Sequence, residues 1–397
     1  MGAKITTFGE LDDRALSQLK NCAVKADYAV LCADHHVGYS QPIGGVVAYR
    51  DLISPSGVGF DIGCGNKAVM TDVMVRDVNV AKIMDEITRQ IGFGLGRPNP
   101  KPIDHPVLDK ISVAEFTPQR KLIKLAQEQL GTVGSGNHYV DLFEDEEKRL
   151  WVGVHFGSRG FGHKTATGFM ALSQGKTFDD RVREKGMDSP PILFQVKSEI
   201  GQDYIYAMKL AGEYAYVGRN TVVEKVLEIL GAKSIYEVHN HHNFAWQEKH
   251  FGEEYWIIRK GCTPAFPGQE SFIGSNMRDI SHIIEGYDSG VSRKALYSTV
   301  HGAGRVLSRT KAAGRRRWIK GKRKHMTGGV VDFKKVKSEM KKKGIELRGG
   351  GADEAPEVYK KLTDVLSYHK DTLSILHSLK PIGVAMAGED VYDPFID

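Results

Sequence analysis

The chain has 397 residues, 41% of them hydrophobic and 26% charged, with a formal net charge of +6. These values are ordinary for a soluble globular enzyme with a large core. No run of 18 apolar residues occurs and residues 1–8 lack the pattern of a signal peptide, so neither a membrane span nor secretion is expected. Four cysteines without CxxC spacing (Cys22, Cys32, Cys64, Cys262) suit a reducing cytoplasm rather than a disulfide framework.

Residues 10–22 carry a helical apolar pattern through Leu11, Leu16 and Leu19. Residues 28–32 read as a buried strand running into Asp34-His-His. Residues 76–91 place Val80, Ile83, Met84 and Ile87 on one helical face, and 119–130 read as another helix. Residues 149–155 read as a strand that ends in a Gly-rich turn. Residues 199–230 give the longest helical pattern, with a break expected near Gly218. Residues 235–238 and 255–258 read as strands around His239-Asn-His-His-Asn. The interspersed elements predict a mixed α/β fold, with central β-sheets flanked by helices. One compact catalytic domain over residues 1–397 is expected, since neither a Pro/Gly/Ser-rich linker nor a repeat divides it.

Five polar constellations could carry chemistry. Asp61 and Cys64 stand three apart in a loop with four glycines; the pair is either structural or part of a mixed carboxylate/thiolate metal site that suits Mn²⁺ or Zn²⁺ over Mg²⁺. Asn137 and His138 leave a Gly-rich turn, with Asp141 three residues on; the turn is either a plain β-turn or a place where backbone N–H groups approach a phosphate. His155 closes a strand before Ser158 and Arg159, and an arginine there suits bidentate phosphate contact. In His239-Asn-His-His, strand alternation puts His239 and His241 on one face and His242 on the other. Burying that many polar groups is costly without a metal or anion partner. His301 precedes Gly302-Ala303-Gly304-Arg305, a small-residue loop that is either a Gly-rich cap or an uncrowded approach to a histidine nucleophile.

Together and in this order the motifs resemble the RtcB family of RNA ligases. The likeness runs from Asp34-His-His-Val-Gly-Tyr to Lys380-Pro-Ile-Gly-Val and includes Arg259-Lys-Gly-Cys-Thr-Pro-Ala and Asp353-Glu-Ala-Pro-Glu-Val-Tyr. The resemblance implies two Mn²⁺ ions bridged by Cys64, with Asp61, His138, His155 and His242 as the other ligands. It implies that His301 attacks GTP and carries GMP. Asn137, Asp141, Ser275, Gly302, Ala303, Gly304, Arg305 and Tyr359 would then line the nucleotide site with His301. The substrate would be RNA with 3′-phosphate (or 2′,3′-cyclic phosphate) and 5′-hydroxyl ends, in RNA repair or tRNA splicing. An archease-like activator is a candidate partner, and a monomer is the simplest expectation.

Three positions depart from the family pattern. Met386 stands where the family has a tail lysine, which removes a cation from the GTP site. Asp141 stands where a glutamate is usual, one methylene shorter. Gly274-Ser-Asn-Met-Arg replaces Pro-Gly-Ser-Met-Gly, so Arg278 is expected to supply nearby charge. From Arg305 to Lys324 there are ten Lys or Arg and no Asp or Glu, with Trp318 among them, and the trend continues to about residue 345. Such a run is either a solvated face or a surface for nucleic acid. Competing readings are a 3′-phosphate guanylyltransferase that does not seal, a metal-dependent phosphodiesterase and a non-catalytic RNA-binding factor.

Overall fold

The computed structural model describes residues 2–182, 186–319 and 322–389; the side chains of 316–325, Trp318 included, and the tail from Asp390 lie outside the described residues. Runs such as 46–49 and 255–258 are apolar at every position, which marks strands covered on both faces. They pair antiparallel, Ile257 opposite Ala48, and all eight side chains are buried. These strands lie in a five-stranded sheet that runs Lys4–Thr7, Tyr28–His36, Ile43–Tyr49, Glu253–Lys260, Asn243–His250. A second, eight-stranded sheet runs Glu270–Ile273, Ser281–Gly286, Leu373–Gly388, Tyr139–Glu144, Arg149–Phe156, Gly65–Met74, Ser234–His241, with Glu346–Gly350 parallel to Leu373–Gly388. The mixed α/β reading holds. No helix among the described residues is long and apolar enough to cross a membrane.

Ser234–His241 belongs to the larger sheet and Asn243–His250 to the smaller, so the chain passes from one to the other through the single residue His242. In the larger sheet the register aligns four strand ends: Tyr139 faces His155, Phe156 faces Gly65, and Gly65 faces His241. The residues at and just beyond these ends therefore converge, because neighbouring strands lie about 4.8 Å apart.

The long helix Glu199–Leu230 packs beneath this row. It has 32 residues and does not break at Gly218, contrary to the sequence reading. A Cβ at 218 would meet only the Phe156 ring, at an ordinary 3.4 Å contact, so no close approach requires the glycine, and the packed helix runs through it despite its weak propensity. Ser198 caps the N-terminus, and left-handed Gly231 (φ 65°) closes the C-terminus. The helix expected at 119–130 is two short ones, Thr117–Arg120 and Ile123–Gln129. Leu122 between them leaves helical geometry (ψ 3°), while buried Gln119 donates to the Ala207 carbonyl of the long helix at 2.8 Å. The remaining helical readings hold, as Asp13–Cys22 and Val80–Gln90.

Gly65 sets how closely the strands can approach. A Cβ there would lie 2.1 Å from the Asn240 carbonyl oxygen, and backbone cannot swing aside. Gly65→Ala is expected to cost about 1–3 kcal/mol in chemical denaturation, as overpacking does. Gly290→Ala, which meets nothing within 4 Å, is expected to change stability by less than ~0.5 kcal/mol.

Candidate active site

Cys64 lies at the middle of the strand-end row and is 5% exposed. The His138 and His155 Nε2 atoms stand 3.7 and 3.6 Å from its Sγ. Asp61 Oδ2 lies 3.1 Å from His138 Nε2. Two triads result, Asp61–Cys64–His138 and Cys64–His155–His242, and within each the ligand atoms lie within 4.8 Å of one another. Cys64 belongs to both. All five residues that the resemblance assigns to metal thus come together at the sheet junction. The Asp61 carboxylate enters because residue 157 is glycine; a Cβ there would sit 2.1 Å from Oδ1.

The electrostatics suit metal ligation. Burial keeps His155 and His242 well below the usual histidine range, so both imidazoles are neutral and have a free lone pair. His155 Nδ1 lies 2.6 Å from Asn66 Oδ1, which fixes the tautomer with Nε2 unprotonated toward Cys64. Burial would raise Asp61, but its hydrogen bond to His138 and that residue's charge bring it down to about 2. Burial, with the Asp61 charge, pushes the Cys64 thiol well up. A carboxylate, a thiol and the neutral His155 and His242 rings are buried together, and a divalent ion on each side of Cys64 would offset the cost of that burial. The residues present fit a two-ion site of the mixed hard and soft kind.

His301 follows the strand Ser298–Val300 and lies against this cluster, its ring centroid 4.8 Å from that of His242. Its Nδ1 is 2.7 Å from Asp34 Oδ2, and its backbone N–H donates to the same oxygen at 3.0 Å. In the neutral ring, donation of the Nδ1–H to Asp34 leaves the lone pair on Nε2. Asp34 is fully buried on the strand Tyr28–His36. Burial pushes its carboxyl up, but the charge and hydrogen bonds of His301 outweigh this and hold it below the ordinary range. Asp34 and Asn66 were not singled out from sequence. They lie 267 and 89 positions from the histidines they orient, so no local spacing marks them.

A cleft opens from His301 and His155. It is lined by all nine residues that the resemblance assigns to the nucleotide: Asn137, Asp141, Ser275, His301, Gly302, Ala303, Gly304, Arg305 and Tyr359. Tyr139 OH, Asp141 Oδ1 and Ser275 Oγ are buried without a hydrogen-bond partner, and all three residues face the cleft. Such groups mark the place of a polar ligand. Burial pushes the Asp141 carboxyl well above its usual range. Met386, 7% exposed, lies opposite Tyr139 in the sheet and gives the cleft an apolar wall with Val384 and Met277.

Three charges sit differently from their sequence readings. Arg278 does not line the cleft; Glu339 (2.9 Å) and Glu357 (3.1 Å) neutralise it. Arg305 lines it, but its guanidinium is held by Glu354 (3.2 Å), Tyr359 OH (3.2 Å) and the Asp353 carbonyl (2.7 Å). Arg159 is buried, with Nε and NH2 each 3.4 Å from the Thr132 hydroxyl and the Gly94 carbonyl. His239 and His241 face away from Cys64 toward Arg219, as alternation implies.

Fold and site together define a mixed α/β protein with a thiol-centred ligand cluster at the mouth of a polar cleft. The chain belongs to the RtcB family: a family model described as "tRNA-splicing ligase RtcB" matches residues 16–116 and 107–387. It is 30% identical to the "tRNA-splicing ligase RtcB" of Archaeoglobus fulgidus, over 94% of this chain and 91% of that protein. It is 28% identical to the "RNA-splicing ligase RtcB" of Escherichia coli, over 88% and 87%. The protein of the same name as the first from Pyrobaculum aerophilum is 30% identical over 85% and 83%.

The His301–Asp34 pair predicts an acid limb of stability. A carboxyl held below its unfolded value of about 3.9 contributes fully above that pH and loses its contribution as pH falls through the folded value. Between pH 5 and pH 3 the wild-type denaturation midpoint is expected to fall more than that of Asp34→Asn. Equal falls would show that the pair carries no such linkage.

Proposed function

We propose that this chain is a GTP- and Mn²⁺-dependent RNA ligase that joins RNA 3′-phosphate ends to 5′-hydroxyl ends through guanylylated His301. The observation that carries this reading is Cys64 shared between two ligand triads beside the His301 ring. Asp61, Cys64 and His138 would hold one ion, and Cys64, His155 and His242 the other. Bound there, a divalent ion supplies positive charge to phosphate oxygens during in-line displacement.

His301 is the nucleophile. Asp34 accepts its Nδ1–H, fixing the ring so that Nε2 can form a bond to the α-phosphorus of GTP while pyrophosphate leaves. The small side chains of Gly302, Ala303 and Gly304 leave that approach open. GMP then passes from Nε2 to the RNA 3′-phosphate, and attack by the 5′-hydroxyl seals the strand and releases GMP. Ser275, Tyr139 and Asp141 offer the cleft's unsatisfied polar atoms to the nucleotide. Asn137, at the turn before His138, supports a phosphate beside the ligand cluster.

Incubation with Mn²⁺ and α-labelled GTP, with ATP in parallel, is expected to leave acid-labile label on the protein from GTP and none on His301→Ala. Label from ATP would instead tie nucleotide choice to the Met386 and Asp141 departures. Absence of label from either would sink the reading in favour of a phosphodiesterase or a binding factor.

The basic stretch that starts at Arg305 is read as RNA-contacting surface. RNA affinity is expected to fall steeply with salt. Replacing Arg315, Arg316 and Arg317 by Glu should flatten that slope, by about one unit for each phosphate that the variant no longer neutralises. An unchanged slope would return the stretch to a solvated face.

A further inference from the structure

We propose that Arg219 is a positioning residue for the two-ion site, a single guanidinium that holds the three chain segments bearing Asp61, Cys64, His155 and His242 in register. The proposal rests on the metal-site reading above.

Arg219 comes from the middle of the long helix, and no part of its side chain is exposed. Its NH1 donates to two backbone carbonyls at once, Gly63 at 2.9 Å and Phe156 at 2.6 Å. Gly63 is the residue between Ile62 and Cys64 in the loop that carries Asp61. Phe156 directly follows His155. NH2 lies 3.0 Å from His241 Nδ1, and His241 directly precedes His242. Nε donates to His239 Nε2 at 2.8 Å, which fixes the roll of the guanidinium plane. The Tyr216 ring covers the group, its centroid 5.1 Å from Cζ.

This is costly chemistry for a merely structural role. A fully buried cation is destabilising unless paired. Among the described residues no carboxylate lies within ion-pair distance of Arg219; it meets carbonyls, neutral histidines and an aromatic face. The partners that hold this cation are instead the backbone and side chains next to the ligand residues: the Gly63 carbonyl before Cys64, the Phe156 carbonyl after His155, and His241 before His242. The fork also explains the two histidines that do not face Cys64: His239 and His241 surround Arg219 and leave His242 to face the site.

A lysine cannot replace this fork. It keeps the charge but presents a compact ammonium that cannot reach both carbonyls and both histidines in one plane. Supporting residues around metal ligands change metal affinity by roughly 10- to 100-fold when removed.

The test titrates Co²⁺ alone into the metal-free full-length protein. It reads thiolate-to-cobalt charge-transfer absorption in the near ultraviolet, and far-ultraviolet circular dichroism reports folding. Wild type is expected to bind two ions per chain with a thiolate band. Arg219→Lys, still folded, is expected to bind roughly 10- to 100-fold more weakly with a shifted or lost band. His239→Leu releases only the roll of the plane and should show a smaller loss in the same direction; it decides the question if Arg219→Lys does not fold. Wild-type affinity and an unchanged band in folded Arg219→Lys, or in His239→Leu where the lysine variant fails to fold, would overturn the positioning role. Wild type that binds no Co²⁺ through a thiolate would overturn the metal-site reading itself, and the positioning role with it.

Discussion

The site depends on a buried sulfur between two imidazole nitrogens. Cys64 Sγ stands 3.6 and 3.7 Å from the Nε2 atoms of His155 and His138, on the edge of a sheet whose register brings four strand ends into line. Remove the alignment and the ligands scatter, because the five residues are carried on four different segments, Asp61 and Cys64 together on one loop. Strand spacing of about 4.8 Å brings side chains at the ends of neighbouring strands within common reach. Burying the polar cluster carries a desolvation cost that a bound cation would relieve.

The second sheet supplies what the first lacks. Asp34 reaches from the strand Tyr28–His36 to His301, and His242 is the residue through which the chain passes from Ser234–His241 to Asn243–His250. His301 is therefore anchored from the smaller sheet and the ligand cluster mainly from the larger, and they meet where these join. The cleft opens at that seam. Its wall is apolar at Val384, Met386 and Met277, and its unsatisfied polar atoms come from Tyr139, Asp141 and Ser275. A ligand there must offer both a flat apolar face and hydrogen-bonding groups, a description that suits a nucleotide.

Much of this was legible in the sequence, because the chemistry sits in short motifs. Asp61 with Cys64, Asn137 with His138, and His301 with its small-residue loop are each local, and each comes with glycines that mark a close approach. The alternation of His239, His241 and His242 gave the correct split of faces from a period of two. What the sequence hid is pairwise and distant. Nothing near His301 points to Asp34, and nothing near His155 points to Asn66. The charge state of an arginine's surroundings is equally hidden. Arg278 reads as a charge beside the site and Arg305 as a nucleotide contact, but their acidic partners Glu339 and Glu354, 61 and 49 positions away, are not visible from either residue's own segment. Gly218 misled for a related reason: local propensity favours a break, while tertiary packing along the helix keeps it continuous. The departure at Met386 was visible from sequence, but its consequence, an apolar wall opposite Tyr139, needed the sheet register.

The central claim is that one thiolate serves two ions. Equilibrium dialysis against Mn²⁺ tests it by counting ions bound per chain in wild type, His138→Ala, His242→Ala and Cys64→Ala. Two ions are expected in wild type and one in each histidine variant. Loss of binding at both positions is expected in Cys64→Ala, because that residue alone belongs to both triads. A Cys64→Ala protein that still binds two ions with wild-type affinity would contradict the account.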